Sequence, residues 1–116
     1  MIYTLENYSF GRVTINGRTH TRDLLIQGDH IIPDWRRKEG HSLAPEDIEH
    51  HLLPNTRVLI IGCGSPGMLV VPESTASWCK AKGITLLSAP TREACVQYNE
   101  MAAQESWVMA GLHLTC

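Results

Sequence analysis

The sequence predicts an α/β domain, with antiparallel hairpins first and a strand-helix-strand-helix-strand section after them. Three observations carry that prediction. Asn16-Gly17 sits between two short strand-like runs, and the apolar run Val58–Ile61 ends in glycine. Two helical segments, opening at Pro72 and at Thr91, then separate three strand-like runs.

Asn-Gly readily supplies the two positive φ angles of a tight turn, so Gly11–Ile15 and Arg18–Thr21 form the first hairpin. Asp23–Gln27 and His30–Ile32 form a second one around Gly28-Asp29, and Pro33 ends its ladder because it has no amide hydrogen. A short helix is expected from Pro45 to about Leu53, since proline suits the first helical position, Glu46 and Asp47 complement the positive end of the dipole, and Pro54 stops it. Pro54-Asn55 is the seam between the two textures of the chain. Arg57–Ile61 reads as a buried strand, Pro72–Lys82 as a helix closed by Gly83, and Ile84–Leu87 as a strand. Thr91 to about Gln104 reads as a helix capped by Thr91, and Trp107–Leu114 as the last strand. The alternation implies parallel strands joined by right-handed crossovers. Ala94, Tyr98, Met101 and Ala102 share one helical stripe, so that face is expected on the sheet.

The 116 residues are expected to fold as a single domain, 1–116, and 43% hydrophobic composition supplies its core. Ten basic against twelve acidic residues leave a net charge of −2, which gives no electrostatic drive toward nucleic acid or anionic lipid. No apolar run approaches the ~20 residues of a membrane helix. The start, Met1–Glu6, has neither the basic nor the apolar region of a secretory signal, so the expected location is the cytoplasm. Cys63, Cys79, Cys95 and Cys116 form no C-x-x-C pair, and they read as small apolar residues kept reduced.

Gly62-Cys63-Gly64-Ser65-Pro66-Gly67 spells G-x-G-x-x-G after a strand, but Pro66 removes an amide donor and no helix begins until Pro72. No acidic residue follows the next strand to hold a ribose, so a glycine turn is preferred to a nucleotide site and no cofactor is expected. A narrower reading keeps the amides of Gly62, Cys63 and Gly64 as an anion nest. Trp35, Arg36, Arg37, Glu39 and His41 make the most chemically loaded segment, suited to a protein interface or a small anionic ligand, beside the blander reading of a solvated loop whose Trp caps the core. A Cys63–His41 thiolate-imidazole pair is conceivable chemistry, with a buried inert Cys63 preferred. Glu46 with His50 and Asp47 with His51 have helical i, i+4 spacing and read as surface pairs rather than a metal site.

Asp34–Leu43, Pro45-Glu46-Asp47, Val58–Gly64, Tyr98-Asn99 and Leu112–Cys116 then follow in a familiar order. On these blocks the chain resembles a family of small uncharacterised proteins found in bacteria, archaea and eukaryotes. Its eukaryotic relatives include an adipogenesis-associated protein and a mitochondrial assembly factor for respiratory complex I. The resemblance implies a compact three-layer arrangement of β-structure and helices, with no enzymatic activity established for the class and no catalytic set to carry over. Cys63 stands where the family has threonine, and the absence of a presequence argues against the mitochondrial role.

The expected function is therefore that of a non-catalytic domain acting through protein contacts, with a protein partner or as a homo-oligomer. The alternative is a small-anion or enzyme site at Gly62–Gly67 with Arg36, Glu39 and His41.

Overall fold

A computed structural model of the chain describes residues 3–105 and 107–116. Met1 and Ile2, part of the start read above for a targeting signal, and Ser106 lie outside the described residues.

Strands β1 (Leu5–Ser9), β2 (Arg12–Ile15) and β3 (Arg18–His20) form an antiparallel sheet in chain order. Asn16 and Gly17 take φ of 50° and 77°, as the tight turn between β2 and β3 requires. Strand β1 has no counterpart in the sequence reading. Its run Leu-Glu-Asn-Tyr-Ser lacks a clean two-residue period, and its register shifts between Glu6 and Ser9, where Asn7 has φ 52°. A side chain on the later helix α3 (Thr91–Ala102) secures it: Asn99 accepts from the Leu5 amide and donates to the Leu5 carbonyl, both at 2.8 Å.

The second hairpin, β4 (Leu24–Gln27) and β5 (His30–Ile32), belongs to a separate five-stranded sheet with β6 (Val58–Gly62), β7 (Thr85–Ala89) and β8 (Val108–Leu112). Its order is β5-β4-β8-β6-β7. Strand β6 pairs in parallel with both β7 and β8, as the alternation predicts, while β4 runs antiparallel to β8.

Side-chain alternation along these strands builds two cores. Ile60, Val108, Ala110, Leu112, Leu24 and Ile26 face Ala94, Tyr98 and Ala102 of α3 together with Leu5, Val13 and Ile15 of the small sheet. Leu59, Ile61, Met109 and Leu25 face Cys79 of α2 (Glu73–Ala81), Ile48 of α1 (Glu46–Glu49), and Trp35 and Leu43 of the long loop. The result is a three-layer α/β fold with the five-stranded sheet in the middle.

Three local expectations are corrected. Helix α1 is a single turn, shorter than the expected Pro45–Leu53. Asp47 is buried and does not serve a surface pair with His51. Its carboxylate accepts from the amides of Lys38 (2.9 Å) and Ala44 (2.8 Å), stapling the loop. Thr91 is the first residue of α3 rather than its cap, which is Pro90. Its hydroxyl donates to the His113 carbonyl and accepts from the Gly64 amide at 2.8 Å, tying the helix start to the ends of β8 and β6.

Candidate functional site at the end of the central strands

Strands β6 and β8 end side by side, with Gly62 opposite Leu112. From β6 the chain goes to α2 on one face of the sheet, and it reaches β8 from α3 on the other face. That divergence is the switch point beside which open α/β sheets take their ligands. Here the space is approached by the turn after β6, the segment His113–Cys116 after β8, Asp23 before β4, and the loop between β5 and α1.

Gly64 brings two of these segments together. Its φ is +98°, and a Cβ there would run into the Thr115 carbonyl oxygen and sit 2.7 Å from the Cys116 carbonyl carbon. The Ser65 amide donates to the Thr115 carbonyl (2.9 Å) and the Met68 amide to the Cys116 carbonyl (2.8 Å), which fixes the crossing.

Beneath it lies a buried charge cluster. The Arg37, Asp23 and His113 side chains are 5%, 17% and 8% exposed. Arg37 Nη2 donates to Asp23 Oδ2 (2.8 Å) and to the Gly40 carbonyl (3.0 Å), which uses both of its hydrogens. The His113 Nδ1 atom, 3.2 Å from Nη2, therefore takes its bond from the other side: Nδ1–H donates to Asp23 Oδ2 at 2.8 Å. The Leu114 amide donates to Asp23 Oδ1 at 2.8 Å. The Arg37 guanidinium lies over the Trp35 ring at 4.8 Å, and Trp35 Nε1 donates to the Asp47 carbonyl at 2.8 Å. Burial pushes the Asp23 carboxyl upward, but the bonds from Leu114, His113 and Arg37 outweigh it and hold the group below the usual carboxylate range. Arg37 Nη1 and His113 Nε2 are buried without a partner among the described residues.

Above the cluster, the exposed His41 ring packs edge-on against His113 with centroids 5.4 Å apart, and its Nε2 lies 3.8 Å from Cys116 Sγ. Phe10, Met68 and Val70 are 62%, 53% and 58% exposed. Met68 and Val70 point outward from an extended segment whose intervening Leu69 is buried. The Val70 amide donates to the His41 carbonyl (2.9 Å), and the Gly11 amide beside Phe10 donates to the Leu114 carbonyl (2.8 Å). These bonds tie the segment of Phe10 to that after β8 and the segment of Met68 and Val70 to Cys116 and to the His41 loop.

Of the residues marked in the sequence, Trp35, Arg37, Gly62, Cys63 and Gly64 are withdrawn from the surface, while Arg36, Glu39 and His41 are exposed. Trp35 caps a core, so it is no exposed anchor. Arg36 Nε reaches only Asp34, 3.5 Å away at the surface. The anion nest does not form: the Cys63 amide donates to Ala89 and the Gly64 amide to Thr91. Burial raises the Cys63 thiol, against the chemistry of a thiolate, and the sulfur near His41 is that of Cys116. All four cysteines are free, and burial pushes Cys95 up to about 12.

Asp23, His113 and Cys116 were missed as site residues because no local spacing links them to Arg37 or His41. Their only trace is a polar residue at the end of an apolar strand run: Asp23 before Leu24-Leu25-Ile26, and His113 between Leu112 and Leu114.

A groove of about 410 Å³ lies elsewhere, lined by Tyr3, Ile15, Arg18, His20 and Ile31, and burial with the Arg18 charge lowers the His20 pKa. Among the described residues, no group of three or more His, Cys, Asp or Glu is placed to hold a metal ion, and no helix is long and apolar enough to cross a membrane.

Solved structures share this fold over nearly the whole chain. Conserved hypothetical protein PH1505 of Pyrococcus horikoshii is 27% identical with a TM-score of 0.82, covering 97% of this chain and 99% of its own. A protein designated MT938 is 31% identical with a TM-score of 0.75, covering 98% of this chain and 99% of its own. A Bartonella henselae protein described as an outer membrane protein is 22% identical, with a TM-score of 0.82 over 99% of this chain and 97% of its own, a likeness of fold alone. Residues 5–113 match the family described as protein of unknown function (DUF498/DUF598), and the chain belongs to that family.

Proposed function

We propose that residues 1–116 form a non-catalytic cytoplasmic domain that acts through protein contacts, in the manner of an assembly factor. The observation that carries this reading is the exposure of large apolar side chains: Phe10, Met68 and Val70 are each more than half exposed, on segments whose backbones are hydrogen-bonded to Leu114, Cys116 and His41. Contiguous exposed apolar side chains bordered by polar ones mark interaction surfaces. Arg36, Glu39 and His41 lie on the loop bonded to the Val70 segment and supply a charged fringe. The resemblance to a family with an assembly factor among its relatives supports the same reading.

The test is affinity capture from the native host, comparing the wild-type chain with a Met68→Asp/Val70→Asp double variant. Both substitutions are at exposed positions, so melting curves of the two proteins are expected to stay close. A defined partner set recovered by the wild type and lost by the variant supports the assignment. Self-association lost in the variant, seen by sedimentation, identifies the partner as a second copy. An unchanged partner set in the charged variant contradicts the reading.

A further inference from the structure

We infer that the groove between the two sheets binds a small carboxylate with an apolar body, its charge held by Arg18. At about 410 Å³ the groove has the size of a small-ligand site. Strand β3 is an outer strand of the small sheet and β5 an outer strand of the large one, and side chains from both line it. Arg18 and His20 stand two residues apart on β3 and so share a face, and Ile15 lies opposite Arg18 across the β2–β3 turn. Ile31 of β5 and Pro33 just after it contribute the wall from the other sheet. The Tyr3 amide donates to the Gly28 carbonyl at 3.1 Å, which ties Tyr3 to the β4–β5 turn.

The lining divides by chemistry. Ile15, Ile31 and Pro33 offer apolar surface to the body of a ligand, and the Tyr3 and His20 rings add to it. The Arg18 guanidinium has no hydrogen bond or ion pair among the described residues, so its donors are open to a ligand. Charge then selects the class. Among the described residues that line the groove, Arg18 is the one Lys or Arg, and none is Asp or Glu. His20 stays neutral near neutral pH, because burial and the Arg18 charge lower its pKa. A single fixed positive charge matches a monoanion, and a planar guanidinium pairs with a carboxylate through two parallel hydrogen bonds. A dianionic phosphate would call for a second cation, which the lining lacks. The chain as a whole carries a net charge of −2, so the attraction is local to the groove. Phe10, Met68 and Val70 do not line it, so the inference stands apart from the proposed function.

The test is a titration of ¹⁵N-labelled protein with 2-naphthoate at about pH 7, where an ordinary carboxyl group is ionised, following the backbone amides. Three comparison compounds run beside it: 2-naphthamide lacks the charge, acetate lacks the apolar body, and 2-naphthylmethylammonium reverses the charge. 2-Naphthoate is expected to move the amides of Ile15, Arg18, His20 and Ile31 saturably and to bind about tenfold more tightly than any of the three. Arg18 is exposed, so Arg18→Gln should keep the fold and bring 2-naphthoate down to the affinity of 2-naphthamide. Should that variant unfold, the four compounds on the wild type decide alone. Shifts centred away from these residues, or equal affinities for 2-naphthoate and 2-naphthamide, overturn the site.

Discussion

Gly64→Ala is expected to be among the most damaging single-atom additions available in this protein. The new methyl group would meet the backbone of Thr115 and Cys116, which cannot rotate away as a side-chain tip could. Overpacking of this kind costs about 1–3 kcal/mol, and the left-handed backbone adds about 1–2 kcal/mol for a residue with a Cβ. Gly28 supplies the control, because its φ is +66° with nothing within 4 Å of the Cβ position. Gly28→Ala should therefore show the backbone penalty alone. Denaturant unfolding of the two variants measures the difference. A Gly64→Ala protein as stable as Gly28→Ala would mean that the segment after β8 does not cross the β6 turn as described.

Asp23→Ala is expected to destabilise by about 3–5 kcal/mol, the cost of leaving a buried cation without its partner. The substitution takes the shared acceptor from Arg37 Nη2, His113 Nδ1 and the Leu114 amide together, and so unties the loop of Arg37 from the segment after β8. The same carboxylate gives the wild type an acid dependence of definite sign. Because its folded-state pKa is depressed, its contribution is fully present above the unfolded value and is lost as pH falls through about 4 toward the folded value. Urea unfolding as a function of pH should show wild-type stability declining across that window, with a shallower decline in Asp23→Ala. Equal slopes would show that Asp23 is not held as the geometry indicates.

Local chemistry made most of the fold readable. Asn16-Gly17, Gly28-Asp29 and Gly83 marked turns that formed where expected, because each supplies a backbone angle that other residues resist. The helices opening at Pro72 and Thr91 followed from their start and stop residues, and the stripe Ala94, Tyr98, Met101 and Ala102 from a periodicity that packs it on the sheet. Strand β1 was not legible, since its partner is the Asn99 side chain 94 residues away as much as β2. Asp47 was misread for a related reason. Its i, i+4 neighbour His51 is a local fact, whereas the amides it satisfies belong to a loop whose path only the tertiary structure sets.

The candidate site divides the same way. The loop from Trp35 to His41 is chemically dense in sequence, but composition cannot say which of its residues turn inward. Arg36 and Arg37 are adjacent, yet one meets solvent and the other stacks on Trp35 inside the molecule. Cys63 and Cys116 show the same limit, since the sulfur near His41 comes from the segment after the neighbouring strand β8.

Site-specific photo-crosslinking in the native host tests the contact surface most directly. A benzoylphenylalanine placed at Met68 should capture a discrete partner, or a second copy of the chain. The same group at Val96, equally exposed at 53% but on α3, should not. Crosslinks from position 68 alone are the predicted result. The same products from both positions, or products from position 96 only, would contradict the assignment of the working surface to Phe10, Met68 and Val70.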